Sequence, residues 1–285
     1  MPPESSSAAA PHGHGTATAD EHSTAASKHS TAAREHSTVT PRERLQDAHL
    51  YLCVDARRHL DGDRPRFTAL RELAEQVCEG GCDIIQLRDK NSIGERELGK
   101  MTILEQLEAL RVLADVVHAH GALLAVNDRM DLAVAAGADV AHVGQDDIPT
   151  DVARRILGDD VVLGLSCHSP ADVDAALANP SIDYFCTGPI WATPTKPGRP
   201  GVGLELVEYA ARREAEAGER ADTRGYAEAR EHAVKPWFAI GGVNTDNAPD
   251  VVAAGAQRLV VVRALTDAPD PVAAARTLRA CATGK

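Results

Sequence analysis

From about Ala48 onward, apolar runs of four to eight residues alternate with longer stretches rich in Ala, Leu and Glu. Runs that short suit strands, and the longer stretches suit helices. Strands are predicted at His49–Asp55, Asp83–Arg88, Ala122–Asn127, Asp139–Val143, Val161–Ser166, Asp183–Thr187, Pro236–Ile240 and Arg258–Val262. Helices are predicted at Thr68–Glu79, within Gly94–Ala119, and at Asp131–Ala136, Pro149–Leu157, Pro170–Ala178, Leu204–Arg213, Asn247–Ala254 and Pro271–Cys281. The strands are continuously apolar rather than alternating, as expected of a parallel sheet covered on both faces. Eight such units predict an α/β fold, a (β/α)8 TIM barrel over residues 47–285. An open, doubly wound sheet fits only if two of these strands do not form.

Residues 1–46 follow no such pattern. The stretch Ser5–Glu43 has no Leu, Ile, Phe, Tyr or Trp, and its one regularity is a seven-residue echo, EHSTAAS, KHSTAAR, EHSTVTP. With Ala as the largest repeated apolar residue, a coiled coil has nothing to bury, and a disordered low-complexity tail is expected. His12, His14, His22, His29 and His36 offer a weak metal site as the alternative to a solvated tail. The tail lacks the apolar core of a secretion signal, and no stretch approaches the ~20 apolar residues of a membrane span. A formal net charge of -12 argues for a soluble protein and against a general nucleic-acid binder, though a local site can still be basic. Cys78 and Cys82 have no second pair to complete a zinc site. The six scattered cysteines instead predict buried free thiols and a cytoplasmic location.

In a barrel of this kind the chemistry lies just past the strands' carboxyl ends. Gln86 and Arg88 share an orientation on the second strand, and Arg88 with Lys90 suits a phosphate or diphosphate. A surface salt-bridge cluster involving Asp89 is the competing reading. Asp128 and Asp147 follow neighbouring strands and offer oxygen ligands to a hard cation such as Mg2+; singly, either would serve as a helix cap. Ser166 and His168 lack the strained elbow of a serine hydrolase. After the sixth strand a long loop brings Thr193, Thr195 and Lys196, with six Gly or Pro between Pro194 and Gly203. Gly241 and Gly242 after the seventh strand, with the loop after the eighth, form a second place for an anion.

Seven of these segments, taken in order, resemble the thiamine phosphate synthase family. They are Gln86-Leu-Arg-Asp-Lys90, Asn127-Asp-Arg-Met-Asp131, His142-Val-Gly-Gln-Asp-Asp147, Gly164-Leu-Ser-Cys-His168, Gly188-Pro-Ile-Trp-Ala-Thr-Pro-Thr-Lys196, Ala239-Ile-Gly-Gly-Val243 and Val261-Val-Arg-Ala-Leu265. The resemblance, over Ala48–Ala282, implies a (β/α)8 transferase of thiamine biosynthesis acting on two small molecules. It would join 4-amino-5-hydroxymethyl-2-methylpyrimidine diphosphate to 4-methyl-5-(2-hydroxyethyl)thiazole phosphate, giving thiamine monophosphate and pyrophosphate. It implies that Gln86, Arg88, Lys90, Asn127, Ser166 and Lys196 handle the pyrimidine diphosphate, with Leu87 and Asp89 in the same segment. Thr193, Pro194, Thr195, Gly242, Val262 and Arg263 would surround the thiazole phosphate, and Asp128 and Asp147 would hold Mg2+. Arg88, Lys90, Ser166 and Lys196 would carry the catalysis, and a homodimer is implied. Arg263 departs from the family, which often has a small residue such as serine there. The tail and the insert Glu214–Ala233 lie outside the resemblance. A tautomerase of the same fold would not need the Arg88/Lys90 pair, the two aspartates and the Thr-Pro-Thr-Lys loop together. A non-catalytic sensor on a decayed barrel is the reading from a different class.

Overall fold

A computed structural model of the chain describes residues 39–59, 61–193, 200–223 and 235–285. In chain order the elements are α1 Pro41–Gln46, β1 Leu50–Val54, α2 Thr68–Glu79, β2 Ile84–Leu87, α3 Ile93–Leu98, α4 Ile103–Ala119, β3 Leu123–Asn127 and α5 Met130–Ala136. They continue as β4 Val140–Val143, α6 Thr150–Leu157, β5 Val162–Cys167, α7 Pro170–Ala178, β6 Tyr184–Thr187 and α8 Glu205–Thr223. The last are β7 Trp237–Ile240, α9 Ala248–Ala253, β8 Leu259–Val261, α10 Arg263–Thr266 and α11 Pro271–Thr283. Each strand pairs in parallel with the next, and β8 returns to β1 with Leu50 opposite Leu259, so the sheet is closed. The eight expected strands thus make a (β/α)8 barrel rather than an open sheet.

Alternation along each strand divides the core in two. Leu50, Leu52 and Val54 face outward into the layer beneath the helices. There α2 contributes Leu70, Leu73, Ala74, Val77 and Cys78, the spacing of one helix face. Tyr51 and Cys53 face inward, with Ile84, Leu123, Val140, Val162, Tyr184, Phe238 and Val260. Phe238 meets Tyr51 and Tyr184 edge-on, with centroids 5.6 and 5.7 Å apart. Gly164 is required here: a Cβ on it would lie 2.1 Å from the Tyr184 ring.

The structure refines the sequence expectations at several points. The tail boundary at residue 46 is too late, because Thr40 and Glu43 form a capping box that starts α1, and Leu45 is buried in the inner core. The disordered-tail reading for residues 1–38, with its five histidines, lies outside the described residues. The region within Gly94–Ala119 is two helices, the second started by a capping box of Thr102 and Glu105. The helix after β6 extends into the polar insert, with α8 running to Thr223, and Trp237 donates to Glu214 Oε2 at 2.7 Å. Finally, β8 ends at Val261 and α10 begins at Arg263, a turn of helix that so short a polar–apolar stretch does not announce.

All six cysteines are free, and Cys281 alone is not buried. Burial pushes the Cys78 and Cys167 thiols up to about 12, which leaves them unreactive. Among the described residues no helix is long and apolar enough to cross a membrane.

Candidate active site

Parallel strands place all their carboxyl ends on one side, where several cavities open, two of them of about 310 and 270 Å3. These two share a wall of Cys53, Arg88, Ile240 and Val260. Arg88 therefore reaches both.

The smaller cavity is polar and is built by the ends of β2 to β5. Gln86 and Arg88 both line it, as their alternate positions on β2 require. Lys90 donates to Asp128 Oδ2 at 2.5 Å and to Asp147 Oδ1 at 3.1 Å, so one ammonium bridges two carboxylates. Asp128 adopts a left-handed φ of 58°, and its N–H donates to the His142 carbonyl at 2.9 Å, one step past β3. Asp147 accepts the Gly144 N–H at 2.9 Å. Neither aspartate caps a helix, since the caps of α5 and α6 are Arg129 and Pro149. Burial and the facing Asp147 push the Asp128 carboxyl up, against the pull of Lys90. Burial opposes ionisation of Asp147 too, but hydrogen bonds from Lys90 and Gly144 outweigh it and hold this carboxyl below the usual range. Burial acts to lower the Lys90 ammonium, and its two carboxylate partners overcome that and raise it.

This pair fits a divalent hard cation. The two carboxylates converge on one positive charge already, the Lys90 ammonium. Among the described residues no group of three or more His, Cys, Asp and Glu forms a fuller ligand set. Remaining ligands would be water and substrate oxygens, the usual habit of Mg2+.

The floor of this cavity is a buried hydrogen-bonded chain. Cys53 Sγ donates to Gln86 Oε1 at 3.2 Å, and Gln86 Nε2 donates to Tyr51 Oη at 2.8 Å. Tyr51 and Tyr184 hydroxyls meet at 3.3 Å. His142 places Nδ1 3.0 Å from Tyr184 Oη and Nε2 2.9 Å from Ser166 Oγ. Burial raises both phenols well above their ordinary range, so they remain hydroxyls.

The larger cavity lies between the loops after β6, β7 and β8. Ile190 N donates to Ile240 O at 2.9 Å and Trp191 N to Gly241 O at 3.1 Å, which ties the first two loops together. Gly241 has φ 106°, and a Cβ there would lie 2.4 Å from Pro189 Cα. Only glycine permits that crossing. The His168 imidazole holds the Gly188 carbonyl, and Ser169 caps α7. Thr193, Gly242, Val262 and Arg263 line this cavity. Arg57 is paired with Asp89 and Arg58 with Asp267, whereas the exposed Arg263 guanidinium has no partner among the described residues.

The structure brings Gln86, Arg88, Lys90, Asn127, Asp128, Asp147 and Ser166 to one cavity. Leu87 and Asp89 are turned away. Leu87 is part of the outer core, while Asp89 binds Arg57 at 2.9 Å and accepts from Ser92 Oγ at 2.6 Å. The salt-bridge cluster of Asp89 therefore forms with Arg57, not with Arg88 or Lys90. Pro194, Thr195 and Lys196 lie outside the described residues. Tyr51, Cys53, His142 and Tyr184 were missed as site residues. Their signal was the inward period-two positions of β1, β4 and β6, which sequence alone could not tell from outward ones.

A sequence profile described as thiamine monophosphate synthase matches residues 50–265. A thiamine-phosphate synthase of Mycolicibacterium smegmatis is 52% identical over 240 residues, 84% of this chain and 94% of that one. Another, of Saccharopolyspora erythraea, is 51% identical over 238 residues with the same shares covered. Among solved structures, a thiamine phosphate pyrophosphorylase of Pyrococcus furiosus superposes with a TM-score of 0.62 at 26% identity, covering 85% of this chain and 96% of that one. A 3-hexulose-6-phosphate synthase, at 22% identity and a TM-score of 0.51, covers 82% of this chain and 99% of that one and shares the fold.

Proposed function

This chain belongs to the thiamine monophosphate synthase family, and from that premise we propose that it joins a pyrimidine diphosphate to a thiazole phosphate, releasing pyrophosphate. One observation carries the reading at the level of the site: two cavities share a wall at Arg88, and one of them holds two carboxylates that converge on the Lys90 ammonium.

The residues divide the work. Gln86 presents both N–H and C=O at the buried floor, the pattern complementary to an aminopyrimidine's ring nitrogen and exocyclic amine. Ser166 offers a hydroxyl across the same floor. The diphosphate extends outward to Arg88 and Lys90, whose charges match the two negative ends. The thiazole phosphate occupies the second cavity, against the amides after β7 and the start of α10, with Arg263 beside it. Thr193 lines the second cavity; in this proposal Thr195 joins it at the thiazole phosphate and Lys196 serves the diphosphate.

When the pyrimidine–methylene C–O bond breaks, its electron pair leaves with the diphosphate. The aminopyrimidine ring carries the positive charge left on the methylene. The thiazole nitrogen then donates its lone pair to that carbon, closing the C–N bond and leaving a thiazolium. No proton transfer and no protein nucleophile is needed, in keeping with Ser166 lacking a nucleophile elbow. Preorganised charge from Arg88 and Lys90 stabilises the leaving group, an effect worth roughly 3 to 4 kcal/mol per donor. Mg2+ held by Asp128 and Asp147 would add Lewis-acid charge to the same leaving group. The tautomerase and sensor readings leave the bridged aspartates unused. A homodimer and a cytoplasmic location belong to this proposal, the first checked by the mass in solution.

The test is to combine purified protein, both substrates and Mg2+, and to follow pyrophosphate and thiamine monophosphate. Both should appear together, and chelation or Asp128→Ala should lower turnover by about 100-fold or more while the melting curve is unchanged. Binding of either substrate without product would sink the synthase reading. Normal turnover of Asp128→Ala would sink the metal assignment.

A further inference from the structure

The hydrogen-bonded floor has a direction, and it can be read atom by atom. Gln86 is oriented by Cys53, whose thiol donates to Oε1 at 3.2 Å, so its amide N–H faces Tyr51 Oη at 2.8 Å. A phenol has a single proton to give. Because Tyr51 already accepts from Gln86, that proton goes to Tyr184 Oη, 3.3 Å away. Tyr184, accepting from Tyr51, gives its own proton to His142 Nδ1 at 3.0 Å. With Nδ1 an acceptor, the imidazole in its neutral form carries hydrogen on Nε2 and donates it to Ser166 Oγ at 2.9 Å. Ser166 accepts there, which leaves its hydroxyl proton for the cavity.

The reverse direction fails at its far end. If Ser166 donated to His142, the ring would donate to Tyr184 and Tyr184 to Tyr51. Tyr51 would then face two donors, Gln86 and Tyr184, with no acceptor in the chain for its own proton. A buried hydroxyl without an acceptor is costly, so this polarity is disfavoured. Five of the six side chains, Tyr51, Cys53, Gln86, His142 and Ser166, line the polar cavity, and the sixth, Tyr184, is fully buried behind them.

We infer that His142 is a positioning residue, held by Tyr184 so that Ser166 is a fixed hydrogen-bond donor into the polar cavity. The ligand selected is a heteroaromatic ring presenting an unprotonated nitrogen to Ser166 while its amine edge meets Gln86. This deepens the function proposed above and rests on it for the identity of the ring; the polarity of the chain rests on the Gln86 orientation, with Oε1 toward the Cys53 thiol and Nε2 toward Tyr51.

Two measurements on the full-length protein test it. Nitrogen NMR of histidine-labelled protein, with the His142 signal identified by its loss in His142→Gln, should show a protonated Nε2 and a bare Nδ1. An Nδ1-protonated ring would overturn the inference, whatever the enzyme's substrates. In kinetics, Tyr184→Phe and His142→Leu should each raise KM for the pyrimidine diphosphate about tenfold, with KM for the thiazole phosphate within about twofold of wild type. His142→Gln, which keeps an N–H for Ser166, should recover most of that loss. Equal effects of Gln and Leu, or a parallel rise in both KM values, would show that His142 only fills space and end the proposal. Failure of the product assay with the expected tautomer intact would instead count against the substrate reading.

Discussion

At the scale of single residues, the site is governed by which charges already have partners. Lys90 is committed to Asp128 and Asp147, and Arg57 to Asp89. Arg263 lines the second cavity with a guanidinium that has no partner among the described residues. A phosphate arriving between Gly242 and Val262 would gain charge-assisted hydrogen bonds from it, each worth about 1.5 to 3 kcal/mol. Arg263→Ser is therefore expected to raise KM for the thiazole phosphate at least about tenfold and leave KM for the pyrimidine diphosphate unchanged. Steady-state kinetics with each substrate varied in turn will show this. No change at low ionic strength would mean the guanidinium stays in solvent.

At the scale of elements, two loops cross where a side chain has no room. The backbone bonds Ile190 N to Ile240 O and Trp191 N to Gly241 O clamp the loop after β6 onto the loop after β7. Gly241 lies under that clamp, with its absent Cβ aimed at Pro189 Cα, a backbone atom that cannot swing aside. Gly241→Ala combines this clash with a left-handed φ, so a loss of about 1 to 3 kcal/mol is expected from chemical denaturation. The same change should weaken thiazole phosphate binding, because the clamp forms the wall of that cavity. A variant as stable as wild type would mean that the loops separate at little cost. The crossing was invisible in the sequence, where Gly241-Gly242 read simply as room for an anion.

At the scale of the whole molecule, the pH dependence of stability follows from a buried acid pair beside the site. Burial and the hydrogen bond with Asp55 push the Asp89 carboxyl up to about 6, while Asp55 is lowered: its burial is outweighed by hydrogen bonds from Asp89, Gly94 and Arg57. Between pH 3.8, the ordinary value for aspartate, and about 6, the folded protein then binds a proton at Asp89 that the unfolded chain does not. Stability contributed by Asp89 is thus greatest below that window and lost as the pH rises through it, by an amount of order 3 kcal/mol. Asp55 acts in the opposite sense and only below pH 3.8. Asp89→Asn should flatten the stability profile between pH 4 and 6, measured by thermal melting across that range. An unchanged slope would assign the dependence to other carboxylates.

The apolar runs by themselves determined eight strands, because a strand covered on both faces has no polar positions to spare, and eight such runs leave few ways to close a sheet. The strand-end chemistry was legible for the same reason: Gln86, Arg88, Lys90, Asp128, Asp147 and Ser166 stand where the runs stop. What tertiary structure decided is everything that depends on orientation. Leu87 and Asp89 turn away although they adjoin Gln86 and Arg88, because alternation sends neighbours to opposite faces and the register fixes which face is inside. Tyr51, His142 and Tyr184 become one hydrogen-bonded chain only after closure brings β1, β4 and β6 around a common axis. A linear sequence records which side chains can donate and accept, and the closed barrel decides which of them meet.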